Sequence, residues 1–358
     1  MSHRTRTFWD ALNVALIIVA ASMALWPPTL DFLNAVYADE FYPSAQRAVT
    51  ALTNALPFAL GDVLVIVVVA GAIAIWVSQL RRSRAWDAWV RAVLRTCALA
   101  SLLYIWFIVA WGWNYARPSL AGGLGYMPVT PGQKRLDQLE SALAAAMNRA
   151  APSAHISQGR AANSRAALEA ARTETLRAIR VDPEALATQP KHWLFDPYFN
   201  AVGISGMFFP FTYETYVASD LLWFEYPFTV EHEWAHVAGI ARESDANFVA
   251  AIATLESSDA IVHYSGLLEV YAALPRGRSD RLLSRLVLDD YAAMRRRDAE
   301  RIVPVVSRLA WGTYDSYLKS QHVRTGVINY TEYVRLLFGT ALGREALAHA
   351  AGAAVTIP

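Results

Sequence analysis

The sequence predicts a mainly α-helical protein with N-terminal transmembrane helices, followed by a helical domain that contains a small β-hairpin or edge strand. Three observations lead to this expectation. Long apolar runs lie within the first 113 residues, Leu- and Ala-rich helical periodicity dominates the remainder, and one Gly- and aromatic-rich stretch interrupts that periodicity. We therefore divide the chain into a membrane region, residues 1–113, and a second domain, residues 114–358.

The composition excludes some classes of partner. The 358 residues carry a formal net charge of only +1, so no nucleic-acid partner is expected. Hydrophobic residues make up 55% and charged residues 18%, against about 25% charged in an average soluble protein. Because most of this apolar excess lies before residue 114, it indicates contact with a lipid bilayer. Cys97 is the only cysteine, so no intrachain disulfide can form.

Three apolar runs are long enough to cross a membrane, and we place the spans at about residues 8–27, 58–80 and 96–113. The first run follows Arg4 and Arg6 and resembles a signal peptide, but it is long and no clean cleavage site follows it, so we expect an uncleaved anchor. The alternative is a set of buried core helices. The charge-free stretch over residues 63–77 is too long for that in most folds.

Basic residues predict the orientation of these spans. The N-terminus and the linker between the second and third spans carry most of the basic residues of this region, whereas the segment between the first two spans holds only Arg47. The positive-inside rule places the basic segments in the cytoplasm and residues 114–358 outside the cytoplasmic membrane. The basic residues used here are Arg4, Arg6, Arg81, Arg82, Arg84, Arg91 and Arg95.

Two further segments have two interpretations each. Residues 41–56 show apolar positions at near-helical spacing, which predicts either an amphipathic helix on the outer membrane surface or an ordinary loop helix. Residues 201–218 combine Gly and aromatic residues with β-type residues, which predicts a short hairpin or edge strand. Such a strand upstream of a catalytic centre can pair with an extended substrate. A hydrophobic covering loop is the alternative.

The motif His232-Glu233-Trp234-Ala235-His236 carries the chemistry of the chain. On an α-helix the two histidines are about one turn apart, so both imidazoles project from one face and can hold a Zn²⁺ ion. Glu233 projects close to the same side, where it can act as the general base toward a water molecule. Two histidines and a glutamate among apolar neighbours are costly unless they are paired or bind a cation. The alternative is a pair of satisfied core histidines.

A catalytic zinc takes three protein ligands, and Glu243 is the best candidate for the third. It lies seven residues after His236, which is ~10.5 Å along an unbroken helix, so the helix must break between them. Gly239 is placed to end the first helix in a left-handed conformation, and Glu243 would then open the next helix. Alternative third ligands are Asp245, Glu256 and Glu269.

Three more side chains complete the predicted site. Asn247 lies four residues after Glu243 on the same helix face, where it can hydrogen-bond the free ring nitrogen of a ligand histidine. His263 and Tyr264 are candidates for the donor that stabilises an oxyanion, with simple aromatic packing as the alternative.

With these residues in view, the chain resembles a bacterial membrane-protein family known only as domain of unknown function 3810. The resemblance implies a predicted zinc metallopeptidase anchored by N-terminal spans in the bacterial cytoplasmic membrane, with no substrate specified. The site is also similar, more distantly, to that of gluzincin peptidases, from which it departs by having Asn247 at the final place and only a short gap after His236. The resemblance rests on the pattern His232-Glu233-x-x-His236-x-x-Gly239-x-x-x-Glu243-x-x-Ala246-Asn247-Phe248 and on Asn114-Tyr115-x-Arg117-Pro118, Gly203-Ile204-Ser205-Gly206, Tyr264-Ser265-Gly266 and Tyr314-Asp315-x-Tyr317-Leu318-Lys319.

The sequence therefore predicts a zincin-like metallopeptidase domain that holds one Zn²⁺ ion and cleaves a peptide or protein substrate on the outer side of the membrane. Two other hypotheses are a catalytically inactive membrane-bound metal-binding or scaffold protein and a transporter with an outer metal-binding domain. The intact base Glu233 argues against the first of these. The near absence of charge inside the spans argues against the second.

Overall fold

The computed structural model describes residues 3–82, 86–158, 161–275, 279–320 and 332–352. The fold is mainly helical with one two-stranded antiparallel sheet, which confirms the expected class at that level. The chain divides into two compact units. The first is Met1–Arg117 together with Phe209–Glu214, and the second is Pro118–Phe208 together with Thr215–Pro358.

In its described part before residue 117, the first unit consists of helices and the short segments that connect them. It contains, in order, α1 (His3–Leu25), α2 (Leu30–Phe32), a π-helix (Leu33–Phe41), α3 (Tyr42–Asn54), α4 (Leu60–Arg82), α5 (Trp86–Ala110) and a 3₁₀-helix (Gly112–Ala116).

Three of these helices are long and apolar enough to cross a membrane, as the sequence predicted. Their apolar stretches are Thr7–Leu25, Leu60–Arg81 and Trp86–Ala110, and α5 packs against both α1 and α4. The helix that contains most of the predicted third span, residues 96–113, has different bounds from that span. Helix α5 begins ten residues earlier, so Arg91 and Arg95 lie within it, and it ends at Ala110 because Trp111 leaves the helical conformation before the 3₁₀-helix.

Helix α3 occupies the segment for which the sequence left open an amphipathic surface helix and an ordinary loop helix, and several of its buried side chains are polar. Gln46, Thr50 and Thr53 are buried, whereas Leu52 is exposed. The amide of Gln46 donates to the Thr50 hydroxyl over 3.1 Å, and the Thr53 hydroxyl donates to the Thr50 carbonyl over 3.3 Å. Pairing within the helix allows these polar side chains to be buried.

Glu214 caps the second apolar helix of the first unit. Its carboxylate accepts the backbone N–H groups of Leu60 and Gly61, each over 2.9 Å, and the Thr212 hydroxyl over 2.8 Å. The first N–H groups of a helix have no partner within the helix, and a carboxylate there also interacts favourably with the helix dipole. These three donors stabilise the buried carboxylate of Glu214.

The second unit consists of helices around α11, which is buried over all but its last residue. Helices α8, α10, α12, α15 and α16 pack against it, and α7 packs against α12. The helices are α6 (Leu120–Gly123), α7 (Gln133–Ser157), α8 (Ala161–Ala178), α9 (Asp196–Val202), α10 (Tyr226–Val237), α11 (Glu243–Glu256), α12 (Ala260–Ala272), a 3₁₀-helix (Asp280–Leu282), α13 (Arg285–Arg301), α14 (Pro304–Ser320), α15 (Tyr333–Gly339) and α16 (Ala341–Ala351).

The expected hairpin is present as strands β1 (Gly206–Phe209) and β2 (Glu214–Val217). On its other side, β2 pairs in parallel with Lys191, whose N–H donates to Thr215 over 2.9 Å and whose carbonyl accepts from Val217 over 3.0 Å. Strand β1 is therefore the edge of this small sheet.

Candidate metal centre

The two histidines of the motif lie on one face of α10. Their Nε2 atoms are 3.1 Å apart and their rings are nearly perpendicular. The side chains are mostly buried, with 12% of His232 and 9% of His236 exposed. One turn of helix thus brings the two imidazoles to a common point, as the spacing predicts.

The chain breaks between the second histidine and Glu243 by a recognisable helix ending. Gly239 adopts a φ of 91°, and its N–H donates to the His236 carbonyl over 2.8 Å. The Ile240 N–H donates to the Ala235 carbonyl over 3.1 Å, which completes a Schellman motif. Glu243 is the first residue of α11. The left-handed glycine therefore turns the chain so that the start of α11 meets the end of α10.

Glu243 reaches the two imidazoles across this turn. Its Oε2 atom lies 3.2 Å from His232 Nε2 and 3.5 Å from His236 Nε2. The three ligand atoms all lie within 4.8 Å of one another, and this is the group found in the described residues that could hold a metal ion.

The outer nitrogens of both rings are held by oxygen atoms. His232 Nδ1 lies 2.8 Å from Asn247 Oδ1, and His236 Nδ1 lies 2.7 Å from the Ile240 carbonyl. A carbonyl oxygen can only accept, so each Nδ1 carries a proton, and a ring in its neutral form turns its Nε2 lone pair toward the other ring. Two lone pairs and a carboxylate then face one point.

This donor set fits a divalent cation. Three acceptor atoms at 3.1–3.5 Å repel one another unless a positive charge lies between them. A tetrahedral zinc with ligands at about 2.1 Å places neighbouring ligand atoms roughly 3.4 Å apart. Two imidazoles and one carboxylate are also a ligand set found in catalytic zinc sites, where the fourth position stays open.

The local charges favour the deprotonated carboxylate of Glu243. Burial by itself would raise its pKa, but the charges and hydrogen bonds of His236 and His232 hold the pKa well below the usual range. Burial would lower the pKa of His236, but Glu243, Glu233 and the Ile240 carbonyl raise it to about 9. The site thus attracts positive charge, and a metal ion has to displace a proton to bind.

Glu233 lies beside the cluster and is 5% exposed. Burial raises the pKa of its carboxyl, Glu243 raises it further, and the two histidines and a hydrogen bond from the Phe208 N–H lower it in part. A carboxylate with a raised pKa accepts protons more readily near neutral pH, which is the property a general base needs.

Strand β1 passes directly over Glu233. A Cβ atom on Gly206 would lie 2.9 Å from Glu233 Oε1 and 2.7 Å from Thr229 Cγ2, so glycine is required for this close approach. The Ala218 N–H donates to the Ser205 carbonyl, so by alternation Gly206 and Phe208 direct their backbone groups away from β2. The edge of β1 that points away from β2 therefore runs beside Glu233.

The two candidate oxyanion donors have hydrogen-bond partners outside the ligand cluster. The Tyr264 hydroxyl donates to Asp290 over 2.6 Å, and the side chain is fully buried in the hydrophobic core. Burial and Asp290 raise the pKa of Tyr264, so its proton stays in that bond. His263 Nδ1 lies 2.9 Å from the Leu255 carbonyl. Both were chosen because they are near in sequence to the motif, and their role as oxyanion donors stays a prediction.

The alternative ligands also have other surroundings. Asp245 Oδ2 accepts the Leu120 N–H over 3.0 Å, and Glu256, at the far end of α11, pairs with His349. Glu269 is an electrostatic neighbour of His232 without belonging to the ligand cluster. Of the four carboxylates considered from the sequence, only Glu243 joins the histidines.

Sequence reasoning missed three contributors to the site. The Ile240 carbonyl and the Phe208 N–H are backbone groups, which no residue type reveals. Gly206 was part of a noted glycine-rich stretch, but its proximity to Glu233 depends on tertiary packing.

A comparison with protein-family models finds a match that covers most of both units. A family model described as "Protein of unknown function (DUF3810)" matches residues 37–338. The chain belongs to this family. The match includes the helices from α3 to α14, hence every residue of the metal cluster in this family member. No curated protein and no solved structure shows significant similarity to the chain.

Asn247 gives a first testable expectation. Asn247→Ala removes the oxygen that fixes the tautomer and orientation of His232, so zinc affinity should fall by about 10–100-fold. Competition with a chelating dye measures this affinity. Asn247→Asp, which keeps an acceptor at the same place, should retain most of it. An unchanged affinity in Asn247→Ala would show that the bond does not support the ligand.

Proposed function

We propose that this protein is a membrane-anchored zinc-dependent hydrolase, and specifically a metallopeptidase. The observation that carries the proposal is the convergence of His232, His236 and Glu243 on one point, with the buried carboxylate of Glu233 beside it. Three ligands leave a fourth position for water, and a neighbouring base can activate that water.

The chemistry divides between the cation and the side chains. When bound, zinc would supply a Lewis acid that acidifies water and polarises a carbonyl. Glu233 would accept the proton of the attacking water and deliver it to the leaving amine. The Phe208 N–H would hold the Glu233 carboxylate in place during both transfers. Asn247 and the Ile240 carbonyl would keep both imidazoles in the ligating tautomer.

A peptide substrate is favoured over other amides by the edge of β1. An extended peptide can pair with the outward backbone groups of Gly206, which would place its chain next to Glu233. In this arrangement β1 would bind the backbone of an extended peptide, and the metal centre with Glu233 would cleave it.

Anchoring and orientation are part of the same proposal. The three apolar helices would hold the protein in the cytoplasmic membrane of a bacterium. The basic residues near the N-terminus and around the start of α5 would remain in the cytoplasm, which places the metal centre outside.

The proposal is tested with full-length protein purified in detergent. Elemental analysis should find about one zinc per chain, as a single three-ligand site requires. Protein incubated with a complex peptide mixture should create new termini detectable by mass spectrometry. Chelation should stop the cleavage, and added zinc should restore it. A zinc-loaded protein that cleaves no peptide would instead support an inactive metal-binding or scaffold protein, and a protein unable to take up zinc would refute both.

A further inference from the structure

Glu269 is a carboxylate next to the metal centre that the proposed chemistry does not use. It lies on α12, which packs against α10. The two helices are pinned where the Phe228 N–H donates to the Ser265 hydroxyl over 3.1 Å. His232 lies one helical turn after Phe228, and Glu269 lies one helical turn after Ser265, so both are close to this contact between the helices. The electrostatic interaction between His232 and Glu269 agrees with this placement.

Arg297, a cation that interacts electrostatically with Glu269, forms its ion pairs with other carboxylates. The Arg297 guanidinium pairs closely with Glu225, lies 3.2 Å from Asp298 and 3.8 Å from Asp220. Arg301 in turn lies 2.6 Å from Asp220. Arg297 thus interacts with Glu269 as a charge while its closest carboxylate partner is Glu225.

Glu269 lies between two buried residues and is itself partly exposed to solvent. Its neighbours in sequence, Leu268 and Val270, are 2% and 0% exposed, whereas Glu269 itself is partly exposed. Within the part of the chain that the structure describes, no hydrogen bond to its carboxylate is found. Its backbone carbonyl accepts the Tyr333 hydroxyl over 3.3 Å and the Ala273 N–H over 3.1 Å. A carboxylate that is partly shielded from water and has no hydrogen-bond donor is costly to keep ionised, and a ligand that brings donors and positive charge lowers that cost.

We infer that Glu269 forms a substrate subsite beside the metal centre and selects a primary ammonium group. This inference rests on the proposed hydrolase function, since the metal centre is what holds the substrate near Glu269. The ammonium could be the amino terminus of a peptide or the side chain of a lysine. In both cases the carboxylate accepts charge-assisted hydrogen bonds from the ligand, and Glu269 acts in specificity while Glu233 acts in the reaction.

The test measures binding of small hydroxamates to the zinc-loaded, full-length protein by calorimetry. The hydroxamate group chelates zinc, so the probes report the subsite without any turnover. One pair, alanine hydroxamate and isobutyric hydroxamate, differs by an ammonium beside the chelating group. A second pair, aminocaproic hydroxamate and heptanoic hydroxamate, differs by an ammonium at the end of a long chain. The first pair mimics an amino terminus and the second mimics a side chain.

We expect the ammonium member of at least one pair to bind at least tenfold more tightly than its uncharged partner. Glu269→Gln should remove that preference and leave the affinity of the uncharged probe unchanged. Glu300→Gln is the matched control, since it removes an exposed acid from α13 and should retain the preference.

The outcomes separate this inference from the proposed function. Equal affinities within both pairs, or a preference that survives in Glu269→Gln, would overturn the subsite while leaving the hydrolase intact. If neither the charged nor the uncharged probes bind to zinc-treated protein, the metal centre is absent and both proposals fall. Peptide cleavage without any ammonium preference in binding would likewise retain the hydrolase and reject the role of Glu269.

Discussion

Glu233→Gln is expected to reduce peptide hydrolysis by about 10²–10⁴-fold, the range typical of losing a general base. The variant keeps the size of the side chain and can still accept the hydrogen bond of the Phe208 N–H through its amide oxygen, so the strand above it should stay in place. It lacks only the ability to take a proton from water. The measurement is the rate of appearance of new peptide termini with zinc-loaded protein.

The zinc content is the essential companion measurement. Glu233 is not among the three ligand residues, so Glu233→Gln should bind about one zinc per chain, as wild type does. His236→Ala is the contrasting variant, because it removes a ligand and should lose both zinc and hydrolysis. If Glu233→Gln retains wild-type hydrolysis, Glu233 is not the base; if it loses zinc, its role is structural.

Zinc is expected to be a major source of stability for the second unit. The ligand cluster closes the turn between α10 and α11, and α11 is the helix around which the unit packs. At a free zinc concentration of a thousand times Kd, binding to the folded state alone adds about 4 kcal/mol to the free energy of unfolding. For a unit of this size, that corresponds to a rise in Tm of roughly 8–16 °C.

Glu243→Gln distinguishes this effect from general salt or chelator effects. Thermal unfolding of full-length protein is followed with zinc and with chelator, and the difference in Tm is compared between variants. Glu243→Gln replaces the third ligand and should lose most of the difference. Glu256→Gln changes a glutamate at the other end of the same helix, which is 39% exposed at its side chain, and should keep it. A zinc-dependent shift that is equal in both variants would mean that the metal binds elsewhere.

The local part of the site could be predicted because helical geometry acts over a few residues. His232 and His236 are one turn apart, Gly239 supplies the left-handed ending, and Glu243 and Asn247 are again one turn apart. Each of these relations depends on the period of the helix and on the freedom of one glycine. They required no knowledge of which helices pack together.

The remainder depended on packing between distant segments. Tyr264 was chosen for its nearness in sequence, but α12 directs its hydroxyl to Asp290. Glu269, one further turn along that helix, interacts electrostatically with His232. The predicted third span and α5 start at different residues for another reason. Hydropathy marks where the charged residues end, whereas the helix already includes Arg91 and Arg95 because nothing in residues 86–95 breaks it.

The bond between Asp245 and Leu120 has a practical consequence for shortened versions of the protein. Asp245 is buried, lies two positions after Glu243, and accepts the Leu120 amide. A chain trimmed past residue 120 would take this donor from a buried acid next to a metal ligand. Fragments intended for assays of the metal centre should therefore begin before Ser119, even though α5, the third helix that could cross a membrane, already ends at Ala110.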